Sequence, residues 1–242
     1  MRKLKALCTL GVVNIGRRGS AILQDIKGHA HLQKLGVTGV NKENGQELCS
    51  AIVGLSRLES LSIRSEGEPG LCGCLDGKFS FPETLQSLKL YGNLVKLPEW
   101  VQGLKNLVKL KLRSSRILDH DTTIQVIGEL SNLAFLHLSE KLFEQSTVCL
   151  NFHSGKFLNL VVLELEGRYG KELQFKFEQG ATPKLELLKF SFANIGSETL
   201  FRLPSLSSLK EVVLQGRYSD SELAYLRAEL VQNPSRPVVK RV

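Results

Sequence analysis

At 242 residues, 42% of them hydrophobic and 23% charged, the chain can bury a substantial core and has the balance of an ordinary globular protein. No apolar run reaches the roughly 18 residues a membrane span needs, and five scattered cysteines, an odd number, exclude a disulfide framework. The net charge of +8 is uneven: residues 1–121 carry 18 Lys and Arg against 11 Asp and Glu, whereas residues 122–242 carry 14 against 13. The first half therefore suits an acidic partner.

Along the chain, Met1-Arg2-Lys3-Leu4-Lys5 and the apolar residues after it imitate a secretory signal. Leu4, Leu7, Leu10 and Val12 have a better explanation, because their spacing recurs. Aligned on its strand-like pair, the pattern returns at Leu35/Val37, Leu61/Ile63, Leu88/Leu90, Leu110/Leu112, Leu136/Leu138, Leu163/Leu165, Leu188/Phe190 and Val212/Leu214. The intervals run from 22 to 27 residues. Repeats of that length cannot bury an apolar face alone and stack on their neighbours. The expected fold is an α/β leucine-rich-repeat solenoid: a curved horseshoe with a parallel β-sheet on its concave face and short helices and irregular loops on its convex face. The expected organisation is one array, residues 1–242, of about nine repeats, with strands near 10–12, 35–37, 61–63, 88–90, 110–112, 136–138, 163–165, 188–190 and 212–214.

Between strands, Ser20 reads as the cap of a helix carrying Ile22, Leu23 and Ile26, and Leu48, Ala51, Ile52 and Leu55 have helical spacing. Residues 65–80, "SEGEPGLCGCLDGKFS", are rich in glycine and charge and predict a protruding loop. "LPEWV" places Pro98 at the start of a short helical or 3₁₀ segment, with Leu97, Trp100 and Val101 toward the core. Ile124, Ile127 and Leu130 follow a polar helix start at Asp121-Thr122-Thr123. Residues 219–242 predict a capping helix, "DSELAYLRAELVQ", and a tail after Asn233-Pro234. No comparable cap precedes Leu4, so the chain reads as the C-terminal part of something longer.

No catalytic signature is present: no GxxxxGK[ST], no GxGxxG after a strand, no GxSxG and no HExxH. His29-x-His31 and Cys72-x-Cys74 lack the further ligands of a zinc site and read as a solvated turn and a reduced loop. Asp119-His120-Asp121 has charge-relay residue types, but adjacent residues cannot converge on one atom, and helix-start polarity explains them. No catalytic, cofactor or metal residue is expected.

The informative residues flank the strand leucines and face away from the core. In the third to sixth repeats they form a basic and aromatic cluster: Arg64, Lys89, Tyr91, Lys109, Lys111, Arg113, Phe135 and His137, followed by Glu164 and Glu166. Like charges opposite one another weaken a sheet, so these lysines call for either an acidic protein partner or a solvated face that tolerates them. Nucleic acid is disfavoured, since aromatics are few and acids adjoin.

The wording "LPEWVQGLKNLVKLKLRSSRI", the strand "LESLSIRS", the loose period and the tail "ELVQNPSRPVVK" resemble the leucine-rich-repeat region of plant coiled-coil NB-ARC disease-resistance proteins, which are intracellular immune receptors. The resemblance implies a recognition and regulatory module that takes part in pathogen detection and control of defence. Its partners would be a pathogen effector, a guarded host protein or an NB-ARC domain. Reduced cysteines and the lack of an Asn-x-Ser/Thr acceptor agree with a cytoplasmic location, the nucleus being the alternative. The chain departs from the full receptors in having no coiled coil, P-loop or MHD-type motif. The competing function is a substrate adaptor of an F-box ubiquitin ligase.

Overall fold

The computed structural model describes residues 6–17, 19–65, 67–139, 147–167, 172–192 and 203–242. The expected anchor Leu4 lies outside them. The chain divides into two compact units, residues 1–115 and 116–242.

In the first unit the elements are β1 (Thr9–Asn14), α1 (Gly19–Lys27), β2 (Lys34–Val40), α2 (Gly45–Val53), β3 (Ser60–Ser65), β4 (Ser87–Tyr91), a 3₁₀ turn (Glu99–Gly103) and β5 (Lys109–Arg113). The strands pair in parallel, in chain order. Parallel neighbours need a long return, and the repeat length supplies it. Two apolar ladders cross this sheet. Leu35, Leu61, Leu88 and Leu110 stand in register, as do Val37, Ile63, Leu90 and Leu112, and all eight are buried. Burying a leucine side chain contributes about 1.5–3 kcal/mol, so each coil is held chiefly by its neighbours.

Four local expectations need correction. Val12 is 72% exposed, because β1 bulges: Leu10 pairs with Leu35, but Val13, not Val12, faces Val37. Gly36 permits the bulge, since a Cβ there would collide with the Gly11 carbonyl. Ser20 does not cap α1 but lies inside it, donating to Glu47 Oε1 at 3.0 Å. The loop of residues 65–80 does not protrude: Leu71, Cys74 and Leu75 are buried. Its carbonyls explain the packing, as Trp100 Nε1 donates to Leu75 O at 2.9 Å and Gln46 Nε2 donates to Asp76 O. Trp100 itself is buried, as expected, and stacks on Phe81 with ring centroids 4.0 Å apart. His29, expected in a solvated turn, is also buried.

The second unit contains α3 (His120–Gly128), β6 (Phe135–Ser139), β7 (Thr147–Phe152), β8 (Val162–Gly167), β9 (Glu172–Phe177), β10 (Leu187–Phe192), a 3₁₀ turn (Leu203–Ser205), β11 (Glu211–Gln215), α4 (Asp220–Val231) and β12 (Val238–Arg241). Here β6, β8, β10, β11 and β12 form the parallel main sheet. Leu136, Leu163, Leu188, Val212 and Val239 share one ladder.

Two elements of this unit depart from the expected helices and loops. The returns after β6 and after β8 each carry a strand, and β7 and β9 pair in parallel as a separate two-stranded sheet. Their apolar residues alternate, with Leu150, Phe152, Phe175 and Phe177 buried, which is the strand period. After α4, the tail adds β12 to the main sheet. The turn between them is fixed by buried Asn233, whose Nδ2 donates to Leu203 O at 2.7 Å and Leu206 O at 3.0 Å. The helix start was legible: Ser219 and Glu222 form a capping box.

Candidate functional site: the open sheet faces

The residues that alternate with the ladder leucines decide what each sheet presents. In the first unit, β3, β4 and β5 present Ser60, Ser62, Arg64; Ser87, Lys89, Tyr91; and Lys109, Lys111, Arg113. No acid occupies these nine positions. Register places Lys89 opposite Lys111 and Tyr91 between Arg64 and Arg113. Strand spacing sets such neighbours about 4.8 Å apart. Arg64 is exposed, the other five candidate residues of this unit are half-buried, and the Arg64 guanidinium lies 4.8 Å above the Tyr91 ring centroid. That cation–π contact is worth about 0.5–1 kcal/mol at an exposed site, and it fixes an aromatic plate beside the lysines. The structure thus brings together Arg64, Lys89, Tyr91, Lys109, Lys111 and Arg113 on one face.

Phe135 and His137 belong to the second unit. Phe135 is half-buried in the row shared with Val162. His137 is only 8% exposed. Its Nδ1 lies 2.9 Å from Glu164 Oε2 and its Nε2 3.4 Å from Glu166 Oε2. The two acids that follow the cluster in sequence therefore capture this histidine, leaving little of it for a partner. Register explains the capture, since Glu164 stands directly opposite.

The remaining candidates separate rather than converge. His31 meets the Arg57 guanidinium at 3.1 Å while His29 is buried apart from it. Burial pushes the Cys49 thiol up to about 12, and burial followed by the neighbouring Cys72 raises Cys74. Thiols held protonated are poor nucleophiles and ligands. Asp119 caps α3, accepting from Thr122 N at 3.0 Å, and the hydrogen bonds from Thr122 hold its carboxyl below the ordinary value.

One cluster escaped the sequence reading. His153 Nδ1 lies 3.0 Å from Glu178 Oε1, and its Nε2 lies 3.4 Å from Asp121 Oδ1. Asn151 Nδ2 and Gln125 Nε2 also donate to Asp121, at 3.1 and 3.0 Å. The hydrogen bond with Glu178 leads the causes that raise the His153 pKa, and the Ser154 amide leads those that lower Glu178. His153 and Glu178 are 25 residues apart, one repeat, so repeat alignment was the signal that could have paired them. Among the described residues no group of three or more His, Cys, Asp or Glu could hold a metal ion. No helix is long and apolar enough to cross a membrane among them.

Stacked parallel strands with leucine ladders on one side and variable residues on the other define a leucine-rich-repeat protein of the α/β solenoid class. The chain belongs to the leucine-rich repeat region family, whose model matches residues 1–239. It is similar to disease resistance protein PIK6-NP of Oryza sativa subsp. japonica, 28% identical over 99% of this chain and 24% of that protein. It is also similar to disease resistance protein Pik-2 of the same rice, 26% identical over 98% of this chain and 25% of the relative, and to disease resistance protein RPM1 of Arabidopsis thaliana, 27% identical over 67% and 17%. The chain thus spans about a quarter of the length of the rice relatives.

Proposed function

We propose that this chain is the protein-interaction and regulatory module of a plant intracellular immune receptor, acting by binding rather than by catalysis. The same reading holds the chain to be one array of about nine repeats, working in the cytoplasm or the nucleus. Its docking surface on the first unit is the basic open face formed by Arg64, Lys89, Tyr91, Lys109, Lys111 and Arg113; on the second unit, Phe135 is a further candidate contact, while His137 is engaged by Glu164 and Glu166. The partner is an acidic protein surface, belonging to an effector, a guarded host protein or the NB-ARC domain of the receptor.

One observation carries the reading. Three adjacent strands carry five lysine and arginine residues on the face that holds Tyr91, with Arg64 stacked on its ring and no acid at the alternating positions of those strands. An acidic protein surface complements the sign of these side chains and would steer the encounter toward this face. Aromatic and arginine side chains side by side are also the usual centre of a binding hot spot.

The test uses purified candidates: the nucleotide-binding domain of a related resistance protein and a panel of effectors. The wild-type chain should retain at least one of them, and Lys109→Glu/Lys111→Glu/Arg113→Glu should lose it with an unchanged circular dichroism spectrum. Undiminished binding by the reversed chain would reject this surface.

A further inference from the structure

The C-terminal end of the second unit carries a groove that the reading above does not use. It is formed between α4 and the turn leading into β12, has a volume of about 550 Å³, and is lined by Arg227, Leu230, Val231, Arg236, Pro237 and Val239. Its floor is apolar. Val239 extends the core ladder beyond Val212, Leu230 is buried, and Val231, 81% exposed, stands beside them. Its charge is of one sign, because none of these six described lining residues is acidic.

A second feature adjoins it. The Val238 amide donates to Lys210 O and the Val242 amide to Leu214 O, both at 2.9 Å. Backbone groups alternate sides along a strand, so the N–H and C=O of Val239 and Arg241 point away from β11. No strand among the described residues pairs with that edge. Lys240 is occupied by Glu211, with Nζ 2.9 Å from Oε2. Arg241 sits at a ladder position opposite Leu214, where an apolar residue would be expected. A charged residue there discourages indiscriminate pairing, but it favours an acidic strand over any other.

We propose that this end of the molecule binds an extended peptide segment whose residues on one strand face run acidic, apolar, acidic. The segment adds as a strand to the edge of β12 that no described strand covers, rests its apolar side chain on Leu230 and Val239, and sets the carboxylates two residues to either side, on that same face, against Arg227 and Arg236. Main-chain hydrogen bonds give such strand addition its affinity, and pockets for alternate side chains give it specificity. A second copy of this chain is a poorer occupant, because edge-to-edge pairing of two β12 strands would oppose Lys240 and Arg241 to themselves.

The probe is a fluorescein-labelled, acetylated heptapeptide, Thr-Glu-Thr-Val-Thr-Glu-Thr, titrated with the full 242-residue chain by fluorescence anisotropy. The wild type should bind it, while the matched peptide with lysine for glutamate should not bind. Arg227→Ala/Arg236→Ala should weaken binding by about tenfold. Val239→Pro, which removes an outward N–H without touching the bonds to β11, should weaken it by at least as much. Lys109→Glu/Lys111→Glu/Arg113→Glu should leave it unchanged, which separates this site from the basic open face. Equal binding of both peptides, insensitivity to the two groove variants in chains of unchanged circular dichroism, or a concentration-dependent dimer that the peptide does not disrupt would each overturn the proposal.

Discussion

The two units solve the same problem with different outer layers. In the first, the return after β2 is the helix α2, whose buried Leu48, Ala51 and Ile52 precede buried Leu55 at a spacing of three and four residues. In the second, the returns after β6 and β8 are strands, with Leu150 and Phe152, and Phe175 and Phe177, spaced by two. A strand is thinner than a helix, whose diameter with side chains is about 10 Å, so bulkier residues must fill the same layer. Phenylalanine does this. Nine of the eleven phenylalanines lie beyond residue 115, Phe152 stacks on Phe177 at 4.6 Å, and Phe175 meets Phe190 at 5.4 Å. The ladder leucines thus determine the main sheet, and the period of the return determines what covers it.

The comparison breaks first at its largest residues. Phe175→Ala should destabilise the protein by about 3–5 kcal/mol, and Leu110→Ala by about 2–5 kcal/mol, each read as a lower urea midpoint. Both side chains have 0% exposure. A loss under about 1 kcal/mol at Phe175 would show the outer sheet to be decoration rather than core.

Where the units are alike, the device is polar. Asn44 Nδ2 donates to Ile15 O at 3.2 Å and to Gly39 O at 3.0 Å, as Asn233 does for Leu203 and Leu206. Replacing either with Ala strands two carbonyls, at a cost of about 1–3 kcal/mol, measurable by thermal denaturation. Similar losses at both positions would sharpen the parallel, and a neutral Asn44→Ala would end it.

These cases mark how far the sequence could be read. The leucine ladders and the basic column on β5 follow from spacing alone, since period two on a strand fixes which residues face in and which face out, and the burial of Trp100 follows from its place in the short turn after Pro98. The bulge at Val12, the packed loop after β3 and the capture of His137 do not. Each depends on a neighbour one repeat away: the Gly11 carbonyl over Gly36, Trp100 reaching Leu75, Glu164 opposite His137. The β7–β9 sheet was legible in principle from "CLNF" and "LQFKF", where the apolar residues alternate, but the leucine period drew attention to the main strands.

The smallest expected effect is the most local to the second unit. His153 joins α3 to the end of β9 through Asp121 and Glu178, and no equivalent histidine links the outer helices of the first unit among the described residues. Its folded pKa is raised above the ordinary 6.5, first by the bond to Glu178 and then, after an opposing burial effect, by Asp121. A raised folded pKa contributes stability that is fully present below the unfolded value and is lost as pH rises through the folded one. Glu178 works in the opposite sense: its folded pKa lies below the ordinary 4.5, so its contribution is present above that value and is lost on acidification. Together they place the greatest benefit between about pH 4.5 and 6.5. The melting temperature should therefore fall as pH is raised from 6 to 8, and His153→Gln should flatten that slope while changing little at pH 8. A slope that survives the substitution would assign the pH dependence to another group and reduce this bridge to a surface contact.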